Sequence, residues 1–290
     1  MAVIIDEKTK VVVQAITGNQ GSFHAAQMKA YGTRVVAGTS PGKGGLEVDG
    51  IPVYDTVQQA VDSRGANASI IFVPAPGAKD AAFEAIAAGV KTVVVISEGV
   101  PVHDTIKILA YARQNGATVV GPNTFGLISP GKCKMGIMPN FNYTPGPVGV
   151  IARSGTLSYE IVFGMTNAGL GQTTVVGMGG DRAVGLNFVE VLRLMEADPE
   201  TMAIVLVGEI GGTAEEEAAE YIKTMKSKKP VVAFLAGRSA PPGKRMGHAG
   251  AIIERGMGTY DSKIKALKAA GVAVADFPWQ VAELVKERLK

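Results

Sequence analysis

One cysteine, three histidines and one tryptophan in 290 residues remove several classes of protein at once. A lone cysteine cannot build an internal disulfide framework, and no Cys/His grouping has the spacing of zinc ligands. Charge of either sign is also scarce in excess. Lys and Arg number 29 against 26 Asp and Glu, a net +3, which gives no case for a nucleic-acid or membrane-surface partner. No apolar run approaches the roughly 18–20 residues that cross a bilayer. Asp6, Glu7, Lys8 and Lys10 precede any apolar run, unlike a secretory signal. The expectation is a cytoplasmic chain with no bound metal, no nucleic acid and no membrane.

What is abundant is glycine, 37 residues where an average share of about 7% would give roughly 20. These glycines stand singly or in pairs between short apolar runs, as tight loops do. The runs alternate with helical stretches. Val11–Ile16, Arg34–Ala37, Ser69–Val73, Thr92–Ile96 and Thr118–Val120 have strand character, separated by helical Ser22–Tyr31, Ala78–Ala88 and His103–Gln114. Strands apolar on both faces belong in a parallel sheet covered by helices. Prolines at 122, 130, 139, 145 and 147 then interrupt the pattern, and 123–146 is expected to be a linker. The alternation resumes with strands Val148–Ala152, Thr173–Gly177, Ala203–Val207 and Val231–Ala236. Helices are expected at Leu157–Asn167, Phe188–Glu196, Ala214–Lys226, Ser262–Ala270 and Trp279–Leu289. The fold class is therefore α/β, with doubly wound domains at 1–122 and 147–290.

In open parallel sheets, ligands sit at the carboxyl ends of strands. Thr17-Gly-Asn-Gln-Gly21 follows the first strand and opens a helix. Gly18 and Gly21 are expected to allow positive φ and close approach of a phosphate, which the helix N-terminus attracts. The segment is not the full G-x-G-x-x-G dinucleotide fingerprint. After the second strand, where an NAD site needs an acid, the chain has Ala37-Gly-Thr-Ser-Pro-Gly-Lys43. A cation there favours a phosphate. No Walker A motif is present, so no ATP site is expected on this chain. In the second domain, Arg153-Ser-Gly-Thr156 offers hydroxyls and helix N–H groups to an anion. Glu209 stands isolated among glycines in Gly208-Glu-Ile-Gly-Gly212, while Glu215–Glu217 fits a solvated acidic first turn complementing the helix dipole. His248 lies in Gly243-Lys-Arg-Met-Gly-His248-Ala-Gly250, open and flanked by cations. An imidazole so placed can take a phosphoryl group if a carboxylate holds its other nitrogen, with Glu209 as the candidate. His24 and His103 fall on helices and read as structural.

Together with Ile16-Thr-Gly-Asn-Gln-Gly-Ser-Phe-His24, Thr39-Ser-Pro-Gly-Lys-Gly-Gly45, Val73-Pro-Ala-Pro76, Gly121-Pro-Asn123, Ser154-Gly-Thr-Leu-Ser-Tyr-Glu160 and Gly247-His-Ala-Gly-Ala251, these segments resemble the α subunits of succinate–CoA ligases (succinyl-CoA synthetases) over essentially the whole chain. The resemblance implies a Rossmann-like CoA-binding domain followed by a flavodoxin-like domain that carries a phosphohistidine. It implies that Thr17, Gly18, Asn19, Gln20 and Lys43 contact CoA phosphates and that Ile96, Ser97 and Glu98 line the CoA site. It implies that Tyr159 lies near the acid at the subunit contact, and that Ser154, Gly155 and Thr156 hold the phosphoryl group. His248 would be the catalytic histidine, oriented by Glu209. ATP or GTP with Mg²⁺ would bind a β subunit, giving an αβ hetero-oligomer, and the acid would be a small dicarboxylate.

Bacterial relatives commonly read Asn-Cys-Pro-Gly where this chain has Asn123-Thr-Phe-Gly126, and Pro where Arg182 follows Gly179-Gly-Asp181. Asn123 and Arg182 thus fall in loops near the implied substrate sites. Malate–CoA and ADP-forming acetate–CoA ligase subunits share the same chemistry. A non-catalytic CoA-binding protein would keep the first-domain loops without need of Glu209 and His248. A nicotinamide oxidoreductase would need the full glycine fingerprint and an acid after the second strand.

Overall fold

The computed structural model describes residues 3–241, 243–254 and 256–289. The chain forms two compact units, one of Ile4–Asn140 with Ala183–Leu186, the other of 141–182 and 187–289.

The first unit runs β1 (Lys10–Gln14), α1 (Asn19–Tyr31), β2 (Arg34–Thr39), β3 (Glu47–Val48), β4 (Ile51–Tyr54), α2 (Val57–Arg64), β5 (Ala68–Ile71), α3 (Ala75–Ala87), β6 (Thr92–Val95), α4 (Val102–Gln114) and β7 (Thr118–Val120). The spatial order is β3-β4-β2-β1-β5-β6-β7. All neighbours are parallel except β3 with β4. Without the short β3, the parallel strands stand in the Rossmann order, third-second-first-fourth-fifth-sixth, and the order reverses between β1 and β5. Val11, Val12, Val13, Val93, Val94 and Val95 are all at 0% exposure, which is why these strands carry no alternation of polar and apolar residues.

The segment 123–146, expected as a linker, is not one throughout. It contains the antiparallel hairpin β8 (Gly126–Ser129) and β9 (Cys133–Gly136). Leu127, Ile128, Cys133 and Met135 are buried. The Thr33 hydroxyl donates to the Lys134 carbonyl at 2.8 Å and accepts its N–H at 2.9 Å, anchoring β9. Four-residue strands buried on both faces show no periodicity, so proline and glycine dominated the sequence signal. Burial pushes the Cys133 thiol up to about 12. The elements β3, β4 and α2, not expected from the sequence pattern, are likewise short. α2 is closed by a capping box in which Thr56 and Gln59 satisfy each other's backbone N–H.

The second unit runs β10 (Pro145–Ala152), α5 (Gly155–Asn167), β11 (Gln172–Gly177), α6 (Phe188–Ala197), β12 (Ala203–Glu209), α7 (Ala214–Thr224), β13 (Val231–Ala236), α8 (Tyr260–Ala269), β14 (Ala273–Ala275) and α9 (Val281–Arg288). Its parallel strands lie in the order β14-β13-β12-β10-β11. This is the flavodoxin-like order, second-first-third-fourth-fifth, reversing between β10 and β12. A crevice is expected at that reversal, beyond Ala152 and Glu209.

The glycines of the Thr17–Gly21 loop work differently from the expectation. Gly18 has φ −82°, and the left-handed residue is Ala15, at φ 61°. Gly21 is needed for space, because a Cβ there would stand 2.1 Å from the Ala15 carbonyl oxygen, whereas one at Gly18 would stand at 3.4 Å. Gly21→Ala should therefore cost about 1–3 kcal/mol or more of stability and Gly18→Ala under about 1 kcal/mol, read by denaturant unfolding. Equal costs would refute the assignment.

Candidate functional site

In the first unit, the loops after β1 and β2 converge. The Thr17 and Ser40 hydroxyls are 2.9 Å apart, and Lys43 Nζ donates to Thr17 Oγ1 at 3.1 Å. No side chain caps α1, so the first-turn N–H groups of exposed Asn19 and Gln20 point out from a helix N-terminus that favours anions, while the N–H of the preceding Gly18 donates to the Ala15 carbonyl at 3.0 Å. Beside them is a pocket of about 350 Å³ whose lining includes Gln14, Ala15, Thr39, Ser40, Pro41 and Val73. Ser40, buried at 6% exposure, is a site residue that the motif reading passed over, although it lies inside the quoted Thr39–Gly45 segment. A second convergence joins the loops after β6 and β7. The Asn123 N–H donates to the Ser97 carbonyl at 3.0 Å, and the Ser97 hydroxyl donates to the Val73 carbonyl. Ile96 is half-buried and Glu98 exposed in the same loop.

In the second unit, His248 and Glu209 meet. His248 Nδ1 lies 2.7 Å from Glu209 Oε2. Glu209 ends β12, and its side chain is 8% exposed against 29% for His248. A carboxylate acceptor at Nδ1 fixes the proton there and leaves Nε2 with its lone pair. The Glu209 hydrogen bond raises the His248 pKa above its ordinary 6.5. Burial opposes it, the Glu209 charge adds to it, Arg153 opposes it and Asp181 adds to it. Gly180 makes room for the ring, since a Cβ there would come within 2.4 Å of it.

Arg153 follows β10 and stands between the strand and Ser154, the residue that precedes α5. Its Nε lies 3.3 Å from Glu209 Oε1, and its Nη2 donates to the Asp181 carbonyl at 3.0 Å. Ser154 makes no side-chain cap, so the first turn at Gly155 and Thr156 keeps free donors beside the same strand end. Tyr159, one turn on, is half-buried, and burial pushes its hydroxyl up to about 12. A pocket of about 200 Å³ opens here, lined in part by Arg153, Arg182, Thr213, Gly250 and Glu254. Arg182 pairs with Glu254 at 2.6 Å.

Glu215 corrects an expectation. It is not part of a solvated acidic turn but fully buried, paired with the equally buried Lys263. Its Oε1 accepts the Glu209 N–H at 3.1 Å, while Lys263 also reaches Glu216 and the Gly212 carbonyl. A lysine 48 residues away gives no sequence signal for such a pair. The other histidines stand apart from this chemistry. His24 stacks on Phe72 with ring centroids 5.5 Å apart, and burial drives its pKa down to about 4. His103 is exposed on α4.

The comparisons agree with this division. Residues 6–99 match the CoA binding domain family and residues 151–273 the CoA-ligase family. The "subunit alpha 2" of an ADP-forming succinate–CoA ligase from Archaeoglobus fulgidus is 61% identical, with 100% of both chains covered. An ADP-forming succinate–CoA ligase subunit alpha from Methanothermobacter thermautotrophicus is 55% identical over 99% of this chain and 97% of its own. Among solved structures, ATP citrate lyase from Methanosaeta concilii, in complex with (3S)-citryl-CoA, superimposes with a TM-score of 0.89 at 27% identity. That match covers 99% of this chain and 50% of the lyase, so the chain spans about half the lyase's length. The two domains are thus those of a CoA-ligase subunit. Within that class, the chain belongs to the family of succinate–CoA ligase α subunits.

Removing one member of the buried pair behind Glu209 should be severe. Lys263→Met strands Glu215 as an unpaired buried carboxylate and should cost about 3–5 kcal/mol. Lys263→Met combined with Glu215→Leu should recover much of the loss in the same unfolding measurement. A single variant as stable as the parent would refute the pairing.

Proposed function

We propose that this chain is the α subunit of a nucleotide-dependent succinate–CoA ligase, with His248 as phosphoryl carrier and Glu209 as its orienting carboxylate. The observation that carries the reading is the 2.7 Å contact of His248 Nδ1 with Glu209 Oε2, which leaves Nε2 as the free nucleophile. In the ligation direction, Nε2 attacks the terminal phosphorus of the nucleoside triphosphate and the diphosphate leaves. A carboxylate oxygen of the acid then attacks the phosphorus on Nε2, giving an acyl phosphate and restoring the ring. The CoA thiolate attacks the acyl carbon and expels inorganic phosphate. Splitting the ligation this way replaces one difficult step with three easier ones.

Each group has a part in that scheme. Glu209 keeps the Nδ1 proton in place and balances the positive charge of the phosphorylated ring. Ser154, Gly155 and Thr156 present helix donors to the phosphoryl oxygens, and Tyr159 sits near the acid. Thr17, Gly18, Asn19, Gln20 and Lys43 hold CoA phosphates, while Ile96, Ser97, Glu98 and Asn123 line the rest of that site. The nucleotide and its Mg²⁺ are assigned to a β subunit, with ATP favoured by the ADP-forming relatives. Among the described residues, no helix is long and apolar enough to cross a membrane.

Two measurements test the reading. With its copurified partner and labelled ATP or GTP, the parent chain should take up phosphate on histidine, and His248→Asn should take up none while binding CoA nearly as before. Label on a histidine of the variant would refute the assignment. The same complex screened with succinate, malate and acetate identifies the acid. Lys43→Ala should weaken CoA binding by roughly 1–3 kcal/mol in calorimetry, and unchanged affinity would remove Lys43 from the site.

A further inference from the structure

Glu209 has two carboxylate oxygens, and each faces a different partner. Oε2 meets His248 Nδ1 at hydrogen-bond distance, 2.7 Å, and Oε1 faces Arg153 Nε at 3.3 Å, an ion-pair contact outside hydrogen-bond geometry. The second partner is as enclosed as Glu209 itself, their side chains being 9% and 8% exposed. A guanidinium can serve two acceptors at once because its donors form a rigid planar fork that stays charged throughout the working pH range. Here the other branch, Nη2, donates to the Asp181 carbonyl at 3.0 Å, which ties the loop after β11 to the end of β12. The site is shaped around this fork. A Cβ at Gly250 would stand 2.8 Å from Nη2, so a larger residue there, two beyond His248, would press the guanidinium out of its place.

We infer that Arg153 is a positioning residue for phosphoryl transfer, holding the Glu209 carboxylate in one rotation so that His248 keeps its proton on Nδ1 and offers Nε2. The inference rests on the reading of His248 as phosphoryl carrier, and it adds a cation with a specific task. Without Arg153, Glu209 would have a single partner for two buried oxygens. It could then turn away from Nδ1, and the change would disturb the nucleophile.

The charges around His248 fix the sign of the effect. Glu209 faces it from β12, Arg153 from beyond β10 and Asp181 from the loop after β11. Arg182 donates to the Ala249 carbonyl on the same loop and pairs with Glu254. Lys244 and Arg245, upstream on that loop, are exposed, while Glu215 and Lys263 neutralise each other behind Glu209. Adding a proton to the coupled His248–Glu209 pair raises its charge by one, whichever member holds it. A neighbouring guanidinium opposes that step. Its removal therefore raises the pH at which the pair takes up its first proton and keeps Nε2 blocked to higher pH.

The chain has three histidines, so ring titrations followed by nuclear magnetic resonance can be resolved residue by residue. In Arg153→Met and Arg153→Gln, the His248 midpoint should rise by about half a unit or more, while His24 and His103 titrate as in the parent and report an intact fold. Arg153→Lys keeps the charge and should stay near the parent midpoint. In the complex with the partner subunit, labelling of His248 near pH 6 should slow about three-fold or more in the neutral variants and recover as the pH rises. Gly250→Ala, which displaces the guanidinium without removing it, should shift the midpoint in the same direction if the neutral variants do not fold. Neutral variants, or a folded Gly250→Ala protein, that titrate as the parent or lower would overturn the inference. So would Arg153→Lys behaving like Arg153→Met, which would leave Arg153 a packing role only. If the parent complex takes no label on His248, the carrier reading falls, while the titrations still decide the effect of Arg153.

Discussion

Carrying a carboxylate into the end of a parallel sheet strips away hydration worth several kcal/mol unless protein groups replace the lost water. Glu209 is in that position, and much of the second unit's arrangement follows from how it is satisfied. One oxygen takes the guanidinium of Arg153, the other takes the imidazole of His248, and the Glu209 backbone N–H is fixed by a second buried carboxylate, Glu215. Glu215 in turn requires Lys263. A chain of contacts thus runs from Lys263 in the core through Glu215 and the Glu209 backbone to the histidine, and every link is set by the need of the one before it. The glycines at 180 and 250 are the steric counterpart, because each leaves the space that a planar charged group occupies.

The two units apply the same backbone physics to different anions. In each, strand order reverses next to the first strand, and the loops that leave the carboxyl ends on either side of the reversal diverge to leave a crevice. In the first unit the crevice is furnished with hydroxyls, a mobile-length lysine and uncapped helix donors, a set suited to a phosphate that binds and leaves. In the second it is furnished with a buried ion network, suited to a ring whose orientation must be held. One set is exposed and the other enclosed, a difference that the shared α/β grammar does not reveal.

Most of the strand and helix order could be read from the sequence because parallel strands and their helices are long apolar repeats. The pair His248 and Glu209 was legible for a related reason: each stands alone among glycines, where a structural role for a polar side chain has little to act on. The hairpin β8–β9 was not legible, because its strands are four residues long and buried on both sides, so its prolines and glycines carried the signal. Glu215 was misread because three consecutive acids at a helix start fit the dipole equally well whether exposed or buried, and its partner is far along the chain. Arg153 was visible within its segment, but which acceptor a long side chain reaches is decided by tertiary structure. The role of Gly21 was visible only in part. Its smallness was legible, whereas the reason for it, a carbonyl oxygen 2.1 Å from any added carbon, depends on the left-handed turn at Ala15.

Cys133 gives this protein an internal clock. It is the single thiol of the chain, it lies in β9 at 1% exposure, and burial holds its pKa far above the range in which thiolate forms in neutral water. Thiol reagents attack the thiolate, so they can modify this residue only while the hairpin is open. The rate of modification in native conditions then measures how often β8 and β9 part from the elements packed on them, in the manner of amide exchange but at one chosen position. A ligand that holds the hairpin closed slows that clock, and it can be followed by mass without any assay of turnover.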